Sequence, residues 1–148
     1  MNRQEILNQL APCGLNCNKC MANESGQIKH HSQKLKKLLG NFEGYAKRFS
    51  KFMPIFNQYN EFKELLNFFT IGSCNGCRAG DCKYPNCGAA KCYQEKKIDF
   101  CFECNEFPCD KTNFDENLKE RWIKMNNRMK EIGVEKYYDE TKDLPRYV

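Results

Sequence analysis

Strand-forming residues are scarce in this chain: two valines and three threonines stand in 148 residues, against eleven phenylalanines. That balance disfavours a large sheet, because β-branched side chains are what a pleated, half-buried surface packs best. Histidine is nearly absent too. His30 and His31 form a single dipeptide, so general acid–base chemistry would have to rest on carboxylates or lysines. There is no H-E-x-x-H pair and no G-x-x-x-x-G-K-[ST] phosphate loop, and the chain reads as a non-enzyme. No apolar run approaches the ~20 residues of a membrane span. Glu5 interrupts MNRQEILNQLAPCG where the apolar core of a secretion signal would lie. The expectation is a cytoplasmic protein with no membrane partner.

Cysteine is what the chain has in excess. Ser73–Asp110 holds Cys74, Cys77, Cys82, Cys87, Cys92, Cys101, Cys104 and Cys109, separated by Gly, Asn, Pro and charged residues. A stretch this polar buries little hydrocarbon, so ligands rather than a core must fix its loops. Upstream, APCGLNCNKCM places Cys13, Cys17 and Cys20 at C-x3-C-x2-C. In a reducing compartment stable disulfides are disfavoured, and the odd total of eleven excludes full internal pairing.

Zinc takes four ligands in a tetrahedron, and a C-x2-C loop offers two thiolates to one ion. Three such pairs occur: Cys17 with Cys20, Cys74 with Cys77, and Cys101 with Cys104. Cys13, Cys82, Cys87, Cys92 and Cys109 remain to complete shells. Two zinc ions would use eight cysteines; three would need all eleven and His30, His31 or a carboxylate. A shell of four thiolates leaves no open position for water, so the expected zinc is structural. Cys109, just ahead of the last helix, is the expected fourth ligand of the N-terminal triplet.

Iron–sulfur or thiol redox chemistry is the alternative. The Cys13–Cys17–Cys20 spacing matches radical S-adenosylmethionine enzymes, but their barrels run from about 200 residues upward. The ferredoxin run C-x2-C-x2-C-x3-C-P is missing, as is the βαβ pattern that flanks a thioredoxin-like C-x2-C. The formal charge of +5 hints at nucleic acid, yet each zinc on four thiolates removes two charges, and two sites lower it to +1.

The rest of the chain has helical period. Leu35, Leu38, Leu39, Phe42, Tyr45, Phe49 and Phe52 form one stripe in 27–53, with breaks expected at Gly40 and Gly44. Ile55, Tyr59, Phe62, Leu66 and Phe69 form another in 55–71, and the two segments should pack as an antiparallel pair with their aromatics in a core. Lysines through 29–51 allow nucleic-acid binding, ranked below a solvated face. Phe114, Leu118, Trp122, Met125, Met129 and Ile132 mark a third amphipathic helix, capped from Thr112 or Asn113 and closed by Gly133.

The expected organisation is one small domain over 1–148, mainly α with a zinc-binding, loop-rich cysteine region. Its parts are a cysteine triplet at 11–21, a helical pair at 28–71, a metal region at 73–110, a helix at 112–133 and a polar tail at 134–148. Tyr137 and Tyr138 are the residues able to pin that tail.

CGLNCNKC at 13–20, CNGCRAGDC at 74–82 and above all CFECNEFPC at 101–109 resemble a family of small bacterial and archaeal proteins of unknown function held to bind zinc. The resemblance spans about residues 11 to 112. It implies that all eleven cysteines are motif positions, and it brings no activity, substrate or partner. Together with the missing catalytic constellation, it points to a zinc-stabilised module that binds or scaffolds an unidentified protein partner.

Overall fold

The computed structural model describes residues 1–80 and 82–148; Asp81, inside the 74–82 motif, lies outside them. Its helices are α1 (Arg3–Leu7), α2 (Gln27–Leu39), α3 (Glu43–Phe49), α4 (Tyr59–Thr70), α5 (Ala89–Lys96), α6 (Glu116–Ile132) and α7 (Val134–Thr141). Among the described residues β structure is confined to isolated bridge residues, the antiparallel Leu10–Asn16 pair among them, so the chain is mainly α, as the shortage of strand formers requires. None of the described helices is long and apolar enough to cross a membrane. The chain divides into two compact units, residues 1–20 with 74–148 and residues 21–73.

The first unit opens with a reciprocal cap. The Asn2 side chain accepts the Glu5 N–H at 2.9 Å while the Glu5 carboxylate accepts the Asn2 N–H at 2.8 Å, which satisfies two donors that the start of α1 would otherwise leave free. One apolar cluster joins Ile6, Leu10, Phe100, Met129, Val134, Tyr137 and Tyr138; a second joins Ala11, Cys13, Ala89 and Trp122. Trp122 is buried mid-stripe as expected, against Phe107 and Phe114 with ring centroids at 4.9 and 6.0 Å.

Three boundaries differ from the sequence reading. α6 starts after Asp115, which accepts the Leu118 N–H at 3.0 Å, because Asn113 has left-handed backbone (φ 57°) and cannot begin a helix. The expected tail folds as α7. Val134, Tyr137 and Tyr138 share one helical face and are all buried, and Gly133 at φ 86° ends α6 while its carbonyl accepts from Tyr137 N to open α7. Residues 89–96, read as loop, form α5, which ends at left-handed Lys97.

In the second unit α2 and α4 pack antiparallel: Lys29 Nζ donates to the Gly72 carbonyl at 2.8 Å and Gln33 Nε2 to that of Thr70 at 3.4 Å. Gly40 ends α2, but Gly44 lies inside α3, and Pro54–Gln58 is a 3₁₀ turn, so the second long helix starts at Tyr59. Phe42 gathers Phe49, Phe56 and Tyr59 around it. The expectation that these stripes are buried core fails. Ala46 and Leu66 are the only fully buried apolar side chains here, while Leu38 is 84% exposed, Ile71 70% and Phe52 68%. Three short helices in one thin layer cannot cover the apolar faces they carry.

Candidate metal centre

All eleven cysteines fall in the first unit, as free thiols. Cys17–Cys20 and Cys101–Cys104 each span one 3₁₀ turn, closed by the Cys20 N–H on the Cys17 carbonyl (3.0 Å) and by Cys104 on Cys101 (3.1 Å). A third such turn begins at Cys77. Sulfurs also receive backbone donors: Gly76 N lies 3.4 Å from Cys74 Sγ and Glu106 N 3.4 Å from Cys104 Sγ. Donors aimed at sulfur favour the thiolate, the form a metal takes.

The strongest gathering is a cavity of about 20 Å³ walled by Cys92 of α5, the Cys101–Cys104 turn and Cys109, with Trp122 and Phe107 beside them. That space suits one water-sized occupant. Burial pushes the Cys101 thiol up to about 11, against the pull of the Trp122 indole N–H. Trp122 Nε1 is also the one buried side-chain N or O without a hydrogen bond among the described residues.

A second gathering surrounds Cys17. The thiol of Cys77 favours the Cys17 thiolate most, its backbone N–H and the charges of Arg146 and Arg78 add to this, and the Cys17 pKa falls to about 6. Cys77, on the same shared proton, is pushed up. Cys13 beside them rises to about 12 by burial, and burial also raises Cys87. Cys17 and Cys77 thus meet within the first unit, although 59 residues separate them in the chain.

Three positioning residues carry no cysteine signal and escaped the sequence reading. Asn126, fully buried on α6, donates to the Cys13 carbonyl at 2.9 Å and accepts the Phe102 N–H at 3.0 Å, tying two cysteine loops to one helix. Arg78 donates to the carbonyls of Leu10 (3.1 Å) and Asp99 (2.6 Å) and lies over the Tyr93 and Phe100 rings. Gly88 lets α5 start against the backbone of Lys111, whose carbonyl oxygen an added Cβ would overlap. Gly88→Ala is therefore expected to cost about 3 kcal/mol, the upper range for overpacking, read as a lower urea midpoint with unchanged slope.

Among the described residues, no three Cys, His, Asp or Glu side chains converge tightly enough to hold a metal ion. The thiols are neighbours around small spaces without being drawn onto a common point. Cys109 lines the cavity with Cys92, Cys101 and Cys104, and, like Cys17, it packs against the buried cluster that contains Cys13. Cys20 Sγ lies 3.9 Å from the Tyr147 hydroxyl, and Cys82 neighbours Cys87. His30 and His31 are exposed on α2 in the second unit. A family model described as "protein of unknown function (DUF3795)" matches residues 9–114. No curated protein and no solved structure matches the chain.

Proposed function

We propose that this chain, which belongs to the DUF3795 family, is a zinc-binding protein whose metal is structural and whose role is to bind another protein. The observation that carries the reading is the set of four cysteines, Cys92, Cys101, Cys104 and Cys109, around one ion-sized cavity. The donor set suits zinc: four soft thiols, a backbone N–H on Cys104, and a buried indole N–H whose pull favours the Cys101 thiolate. A second ion would draw on Cys17 and Cys77, with further ligands from Cys13, Cys20, Cys74, Cys82 and Cys87. Bound zinc supplies cross-links, holding thiolates together without redox change.

The chain's own residues do the rest. Asn126 and Arg78 fix the loops that present the thiols, and the Trp122–Phe107 pair keeps water from the cavity's inner wall. With four thiolates per ion no coordination position is left for a substrate, which favours binding over catalysis. Anaerobic purification followed by metal analysis and an absorption spectrum tests this. A colourless protein with two or three zinc ions per chain is expected. Stoichiometric iron with a visible charge-transfer band would replace the reading by the iron–sulfur alternative.

A further inference from the structure

The cysteine-free second unit poses a different problem. Of its apolar side chains only Ala46 and Leu66 are fully buried, too little to stabilise a segment of this length. Eleven of its large apolar side chains are exposed. Four of them, Leu35, Ile55, Phe62 and Leu65, line an open groove of about 540 Å³ together with the half-buried Leu39 and Phe42.

We propose that this groove is a homodimer interface, covered by the same face of a second copy of the chain. The deficit is in the resting fold, so its cover must be constantly present, and a second copy always is. The charges on the two lips agree. On α2, Lys34 stands one turn before exposed Leu38; on α4, Glu61 stands one turn before exposed Leu65. Both charged residues are exposed, and among the described residues neither is in an ion pair. Opposite charges on two antiparallel helices make the face self-complementary about a two-fold axis, with Lys34 of one copy meeting Glu61 of the other. The groove lining contains no cation, only Glu61, which disfavours an acidic ligand within it.

Sedimentation of the full metal-loaded chain at micromolar concentration is the test. A species of twice 17.4 kDa is expected. Leu38→Glu and Leu65→Lys should give monomers whose circular dichroism is unchanged, since both side chains are exposed. Lys34→Glu and Glu61→Lys should each weaken the dimer roughly tenfold or more by placing like charges together, and the double swap should restore it. A wild-type monomer at the highest soluble concentration would overturn the proposal. So would a dimer indifferent to Leu38→Glu and Leu65→Lys, or a monomer that floats with anionic lipid vesicles through this face.

Discussion

Stripping metal from the chain with excess chelator, under reducing conditions, is expected to abolish the cooperative unfolding transition of the cysteine-bearing unit and to shift Trp122 emission to the red. Between residues 74 and 110, the side chains of Cys74, Ala89 and Phe100 are the only fully buried apolar ones among those described. Ordering each residue's backbone costs about 1–2 kcal/mol, and one large and two small side chains return only a few kcal/mol by burial. Structural zinc contributes on the order of 10–16 kcal/mol per site near neutral pH, comparable with or above the ~5–15 kcal/mol net stability of a whole domain. Losing it should therefore collapse the loops, not loosen them. Trp122 is the internal reporter, because it is buried beside Cys101 in the wall of the four-cysteine cavity. Zinc, but not magnesium, should restore both signals, since thiolates select the softer ion. A melting curve and emission spectrum unmoved by chelation would remove the structural-zinc reading.

The helical content was legible because it depends on composition and period. The stripe through Trp122, Met125 and Met129 predicts α6, and its N-terminal error came from backbone that composition does not encode: left-handed Asn113 hands the cap to Asp115. α7 has its signal in Val134, Tyr137 and Tyr138, too short to stand out from a polar tail. The cysteine loops were legible as C-x2-C turns, and the structure adds N–H groups aimed at Cys74 and Cys104. Which thiols neighbour which was not, since that depends on how residues 1–20 return to 74–148 across 53 intervening positions. Spacing sets Cys109 just ahead of the last helix; packing brings it both to the cavity of Cys92, Cys101 and Cys104 and to the buried cluster of Cys13 and Trp122. The exposed stripe of the second unit shows the opposite limit. Periodicity reports which face is apolar, and it is silent on whether the same chain covers that face.

Asn126→Ala is expected to destabilise the zinc-loaded chain by about 3 kcal/mol, whereas Asn127→Ala, one position along and exposed, should stay within about 0.5 kcal/mol. The side chain of Asn126 is fully buried with both ends used. Nδ2 donates to the carbonyls of Cys13 and Trp122, each at 2.9 Å, and Oδ1 accepts from Phe102 N at 3.0 Å. Removing the amide takes the donor from the Cys13 carbonyl and the acceptor from the Phe102 N–H together. Each buried polar group left unpaired costs about 1–3 kcal/mol. The Trp122 carbonyl adds little, because it lies within α6 and keeps its place in the helix. Asn126→Asp should be at least as costly despite its matching shape: it presents oxygen where two carbonyls need a donor, and it places a charge in a site with no cation beside it. Urea denaturation at saturating zinc reads all three variants, and at roughly 3–4 °C per kcal/mol for a chain of this size the Ala variant should melt about 10 °C lower. If Asn126→Ala melts with Asn127→Ala, the two cysteine loops are held by their thiols alone and Asn126 is a passenger in the core.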